Sequence, residues 1–104
     1  MIHYQYRLTP DAISDVIEIR RFTLEQWGVV QSQKYLSELR QTIRLRAETP
    51  TLGRSRPDAG ADVLSFAQAS HVIYYVLHGE QLVVFGVLHK DMVPLNHLSE
   101  REVI

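Results

Sequence analysis

The sequence predicts an α+β fold of element order βααβββ(α), with an N-terminal helical hairpin packed on a mainly antiparallel sheet. Three observations predict it. The chain opens on strict polar/apolar alternation. Two stretches of helical period follow with almost nothing between them. The second half holds three short apolar runs joined by tight links.

In the opening "IHYQYRL", Ile2, Tyr4, Tyr6 and Leu8 point one way and His3, Gln5 and Arg7 the other, as in a half-buried strand. "TPDAISDVIEIRRFTLEQWG" reads as a punctuated helix. Thr9 is placed to cap it, Pro10 takes the first helical position, Asp11 suits the positive end and Gly28 is a left-handed stop. Ala12, Val16, Ile19 and Thr23 form its buried stripe, flanked by Phe22 and Trp27. The second helix, "VVQSQKYLSELRQTIRLRAETP", buries Leu36, Leu39, Ile43 and Ala47 and ends at Pro50 and Gly53. So short a link forces the two helices into an antiparallel hairpin.

"TLGRSRPDAGAD" is a turn-rich loop. Three strands are expected after it, at about residues 63–67, 71–77 and 82–88, with "HGEQ" as a hairpin connection. The tail "PLNHLSEREVI" is short enough to make one small helix from Pro94, or to fray. No linker or internal repeat divides the chain, so residues 1–104 form one domain.

Two of these strands are apolar on both sides. In "HVIYYVL", Val72, Tyr74 and Val76 oppose Ile73, Tyr75 and Leu77. In "LVVFGVL", Val83, Phe85 and Val87 oppose Leu82, Val84 and Leu88. Such strands want cover on both faces, and the hairpin supplies one layer. Either the tail covers the second face or an apolar patch is left for a partner. In the latter case the outward tyrosine, Tyr74 or Tyr75, is the expected anchor for a partner segment bound as a helix in a groove or as an added strand.

Composition excludes several classes. Hydrophobic residues make up 45% and charged residues 22% of the 104, which is globular usage. With no cysteine there is no disulfide framework and no thiolate chemistry, which fits a reducing cytoplasm. No signal peptide and no membrane-spanning run is read. The net charge of −1 hides an asymmetry. Residues 1–56 carry nine Lys/Arg against six Asp/Glu, and residues 57–104 carry two against six. No dense basic stripe marks a nucleic-acid binder. His89 and His97 match no zinc spacing, and no phosphate-cradling or nucleophile motif is present, so no metal and no cofactor is expected.

The order of "LTPDAISDVIEIRRFTLEQWG", "YLSEL", "TPTLGRSRPDAG" and "SFAQASHVIYYVLHGEQLVVFGVLHKDM" resembles the ParE family of toxins within the RelE/ParE superfamily, over about residues 2–98. The most specific pieces are the "WG" closing the first helix, "P-x-L-G-R" at residues 50–54, "SHVIYY" and "VLH". The resemblance implies a toxin of a type II toxin–antitoxin system, a cognate antitoxin that neutralises it, and DNA gyrase as the inhibited target.

RelE-like relatives cut messenger RNA on the ribosome, and that chemistry sets a further test. Attack by a 2′-hydroxyl needs a group at that hydroxyl, cations on the phosphate and an acid for the leaving oxygen. RelE-like enzymes typically have Arg where this chain has His71, and "H-R-x-x-V-Y" where it reads "H-K-D-M-V-P". Lys90 supplies a point charge without the arginine fork, and Pro94 has no proton to give. Arg54 and Arg56 lie in a loop that reaches either a phosphate or Asp58 and Asp62. The ribonuclease set is incomplete, so no catalytic residue is assigned and the chain is read as a non-enzymatic poison. The alternatives are a RelE-like endonuclease and a non-toxic antitoxin-binding module. The partner-binding candidates are Tyr74, Tyr75, Arg54, Arg56, His71, His89 and Lys90.

Overall fold

The computed structural model describes residues 4–103, and within it the elements follow the expected order. They are β1 (Gln5–Leu8), α1 (Pro10–Trp27), α2 (Val29–Arg46), a single 3₁₀ turn (Pro50–Leu52), β2 (Arg54–Ser55), β3 (Leu64–Gln68), β4 (His71–His78), β5 (Gln81–His89) and α3 (Pro94–Leu98). The strands form a sheet in the order β1-β5-β4-β3-β2. All neighbours are antiparallel except β1 and β5, which run parallel across the long excursion between them. Ile2 and His3, which the alternation places in the opening strand, lie outside the described residues. The turn-rich loop contains a strand that its Gly and Pro content hides: Arg54 and Ser55 pair with Ser65 and Leu64.

The helical punctuation is used as written. The Thr9 hydroxyl accepts from the Ala12 amide at 3.3 Å, with Pro10 in the first turn. Gly28 alone joins the helices. Its φ of 85° and ψ of 178° lie in a region essentially reserved for glycine, though not in the left-handed helical well expected for it. The hairpin closes tightly because Thr23 and Ser32, both buried, meet hydroxyl to hydroxyl at 2.7 Å.

One face of the sheet carries the main core. Ala12 and Ile19 of α1 and Tyr35, Leu39 and Ile43 of α2 pack on Phe66, Ile73, Tyr75, Leu82, Val84 and Val87. For β4 the alternation reads correctly, with Ile73 and Tyr75 toward the helices and Tyr74 away from them. For β5 it fails beyond Phe85. The register with β4 jumps there: Tyr75 pairs with Val84 but Tyr74 with Gly86, leaving Phe85 as an extra residue. This bulge resets the phase, so Val87 turns to the helices while Phe85 and Leu88 face the other side. The grouping of Val83, Phe85 and Val87 on one face is therefore corrected.

The second face is covered from within the chain. Ala59 and Val63 of the loop, and Leu98 of α3 with Val103 beyond it, pack on Tyr74, Phe85 and Leu88. Gly86 permits the close approach, since a Cβ there would stand 2.5 Å from Leu98 Cδ2. Tyr74 and Tyr75 are 2% and 0% exposed, so the expected outward-facing anchor does not exist. Alternation showed that both faces need cover. It did not show that the loop and the tail together supply it.

Two polar constructions hold these covers down. β1 ends opposite Val84, and beyond it β5 has no strand on that side among the described residues. Asp15 and Arg101 fill the gap. The Asp15 carboxylate accepts from the Val87 amide at 2.9 Å and from both Arg101 terminal nitrogens at 2.5 and 3.0 Å, while Arg101 also donates to the Phe85 carbonyl at 3.2 Å. On the helix face, the Tyr75 hydroxyl donates to the Pro50 carbonyl at 2.6 Å, and the ring fills the space beside Gly53 where a Cβ would collide with it. That is the physical content of "P-x-L-G-R": a proline carbonyl and a bare glycine that together seat a buried tyrosine.

Breaking the Asp15–Arg101 pair should be costly, because the survivor stays largely shielded from water. Asp15→Asn and Arg101→Gln are each expected to lower the unfolding free energy by about 3 kcal/mol. The double variant should lose clearly less than the sum of the singles in urea denaturation; strict additivity would show that the pair is not a unit. Tyr75→Phe strands a buried carbonyl and should cost about 1–3 kcal/mol by the same measurement. Gly53→Ala should cost at least as much.

Candidate functional site

At one end of the sheet α1, the turn between β3 and β4, the exit of β5 and α3 surround an open groove of about 490 Å³. Its wall on α1 is aromatic. Phe22 and Trp27, read as flanks of a buried stripe, are 55% and 50% exposed, and Met92 faces them at 44%. The floor is formed by His71, Val87, Leu88 and His89. The chain enters this floor through Ala69, whose positive φ of 51° is a sparsely used conformation for a residue with a Cβ.

The rings at the groove form a continuous row. Trp27 meets Tyr35 at 5.8 Å between centroids, Tyr35 meets His71 at 5.5 Å, and His71 meets His89 at 5.7 Å nearly edge to face. The Tyr35 hydroxyl and His71 Nδ1 are hydrogen-bonded at 2.5 Å, with the Gln68 carbonyl 3.3 Å from the same hydroxyl. Burial, and secondarily His89, hold the His71 imidazole below its ordinary pKa, and burial pushes the Tyr35 phenol up. His89 is half-exposed. Its Nδ1 accepts from the Asp91 amide at 3.2 Å and stands 3.6 Å from an Asp91 carboxylate oxygen.

The structure divides the seven candidates among three places. His71 and His89 line the groove, and Lys90 stands exposed beside it with its amide bonded to the Ser70 carbonyl at 2.9 Å. Tyr74 and Tyr75 lie in the two cores. Arg54 and Arg56 lie toward the other end of β3, near Ser65 and Leu64. Of the two ways Arg56 could be used, the structure shows the structural one. Its guanidinium grips the Asp58 carboxylate at 2.8 and 3.0 Å, donates to Ser65 at 3.3 Å and lies 5.1 Å over the Tyr74 ring, and its hydrogen bonds lower the Asp58 carboxyl from its ordinary pKa. Arg54 is exposed on β2. Among the described residues no group of three or more His, Asp or Glu side chains is arranged to hold a metal ion.

A family model described as "ParE toxin of type II toxin-antitoxin system, parDE" matches residues 6–94. The chain belongs to the ParE toxin family. It is 34% identical over 94 residues to a toxin ParE1 of Caulobacter vibrioides, covering 90% of this chain and 97% of the relative. It is 34% identical over 89 residues to a toxin ParE1 of Mycobacterium tuberculosis, covering 85% and 91%. A toxin ParE of Escherichia coli is 33% identical over 100 residues, covering 92% and 94%. A solved structure titled "Chromosomal ParDE TA system from P. aeruginosa" superposes with a TM-score of 0.75 over 86% of this chain and 98% of that one. At 12% identity this likeness speaks for the ParE fold alone.

Sequence reasoning missed the aromatic wall and Tyr35. Phe22 and Trp27 did carry a signal. Each stands beside the α1 stripe rather than on it, and an aromatic residue at the margin of a stripe lines an edge instead of filling a core.

The shifted imidazole fixes the sign of a pH effect. The unfolded chain protonates His71 near 6.5, whereas the folded chain resists until lower pH. Stability is therefore full above that window and falls as the pH drops through it. Urea midpoints at pH 7.5 and 5.5 should differ more for the wild type than for His71→Asn; an equal difference would remove His71 from the acid sensitivity.

Proposed function

We propose that this ParE-family chain is the toxin of a type II pair that inhibits DNA gyrase by binding it, and that a cognate antitoxin neutralises the toxin by seating apolar side chains in the groove. The groove carries the second half of this reading. It presents Phe22, Trp27 and Met92 half-exposed around a buried floor, and aromatic anchors set in such clefts dominate the energetics of protein interfaces. Family membership carries the first half, since the gyrase target is what the resemblance implies. With both sheet faces closed, the groove takes the place of the tyrosine-bearing patch as the partner site, with His71 and His89 in its floor and Lys90 beside it.

The geometry favours binding over RNA cleavage. Arg101, the one arginine among the described residues lining the groove, has both terminal nitrogens engaged, by Asp15 and the Phe85 carbonyl. Arg56 is held by Asp58, and Arg54 lies toward the opposite end of the sheet. The groove's acidic side chains, Asp15 and Glu18, are themselves paired with Arg101 and Arg21.

Purified toxin should slow gyrase supercoiling or trap gyrase-cleaved DNA, and the product of a neighbouring antitoxin gene should reverse this. No effect on gyrase at concentrations well above the enzyme's would favour the non-toxic module. Codon-register cleavage of message on translating ribosomes that vanishes in Lys90→Ala would establish the endonuclease instead. Trp27→Ala should weaken the antitoxin complex by about 2 kcal/mol, roughly thirtyfold, with the fold intact by circular dichroism. Near-wild-type affinity in both Trp27→Ala and Met92→Ala would place the antitoxin elsewhere.

A further inference from the structure

We propose that His71, Tyr35 and Trp27 form a proton-driven relay by which acidification rearranges the aromatic wall of the groove. The inference concerns the regulation of that site. Its consequence for a partner rests on the groove reading above, but the relay itself is a property of the free chain.

The phenol has one hydrogen and two acceptors within reach, His71 Nδ1 at 2.5 Å and the Gln68 carbonyl at 3.3 Å. With His71 neutral and bearing its hydrogen on Nε2, Nδ1 accepts the phenol's hydrogen. A proton taken up from water occupies Nδ1, which then becomes a donor, so the phenol oxygen must accept and its hydrogen must turn to Gln68. Shortening the 3.3 Å contact to an ordinary hydrogen bond moves the ring, and the Trp27 ring packed edge-on against it at 5.8 Å moves too.

Each element packed around His71 bears on this titration. α2 supplies Tyr35, which is satisfied in both states. β5 supplies His89, whose own charge opposes a second one beside it, with Asp91 at 3.6 Å moderating that charge. α1 contributes Asp15 and Glu18 to the groove, one paired with Arg101 and the other with Arg21 at 2.6 Å. α3 and the segment after it contribute His97 and Arg101. The cost of charging His71 therefore comes from its burial and from His89. An apolar occupant covering the floor adds to that burial, so its affinity should fall as the pH drops.

Trp27 is the sole tryptophan, which makes the relay directly readable. In the free full-length protein its fluorescence should show one acid transition with a midpoint below that of an exposed imidazole, coinciding with the His71 Hε1 shift in proton NMR. His71→Asn, which offers an amide oxygen to Tyr35 but cannot titrate there, should abolish the step. His89→Gln should keep the step and raise its midpoint. Tyr35→Phe should leave the NMR titration of His71 in place while uncoupling Trp27. A fluorescence step that persists in His71→Asn, or that survives in Tyr35→Phe with His71 still titrating, overturns the relay. Neither outcome depends on a partner. Failure of Trp27→Ala to weaken antitoxin binding would count against the groove reading alone.

Discussion

Past the end of β1, the last five residues of β5 have a strand neighbour on one side only, and the fold depends on what serves the other side. A parallel edge strand of four residues is too short to do it. The Asp15–Arg101 pair takes over, meeting the Val87 amide with a carboxylate and the Phe85 carbonyl with a guanidinium. Both side chains are mostly shielded, so each charge needs the other to remain there. The pair also ties three parts of the chain at one point. Asp15 lies in the second turn of α1, the backbone groups belong to the phase-resetting bulge, and Arg101 follows α3. Through it the tail is drawn over Tyr74, Phe85 and Leu88, and the end of β5 is fixed against α1. The groove lies between these tied parts, so its shape follows from the same contact.

The readable parts of the sequence were those whose cause is local. Thr9, Pro10 and Gly28 act within a turn of where they stand, and the hairpin follows from them. The two-sided apolar character of β4 is likewise visible because pleating alternates without exception across it. Hidden features had causes distant in sequence. The bulge at Phe85 is defined only by pairing with Tyr74 and Tyr75. The pairing of Arg54 and Ser55 with β3 needs the loop to fold back on itself. The ion pair joins residues separated by 86 positions. An arginine in a polar tail gives no sign that it will be buried against a helix at the far end of the chain.

The candidate site was legible in outline only. "VLHKDMVP" drew attention to His89 and Lys90, and the strand exit does border the groove. His71 was singled out for what it lacks, the arginine of RelE-like enzymes, and it proves to join the groove to Tyr35 through a hydrogen bond. Tyr74 and Tyr75 were misjudged for a definite reason. A strand needing two covers was credited with the hairpin and at most the tail, because the loop 51–62 reads as turn residues, its Ala59 looks too small to serve as a layer, and Val63 reads as the start of a strand. Arg56 makes them sufficient. Clamped to Asp58 and lying over the Tyr74 ring, its side chain spreads across the surface that the small residues leave open.

Closure of both faces also decides how the partly buried arginines are used. Here Arg56 and Arg101, the two partly buried arginines with carboxylate partners, are spent on architecture, each holding a cover over the same core. Around the groove Phe22, Trp27 and Met92 are half-exposed, and their contribution on contact with another protein is loss of apolar surface to water. An imidazole set behind such a wall, bonded to a phenol and held below its ordinary pKa by burial, is well placed to register whether the wall above it is wet or covered.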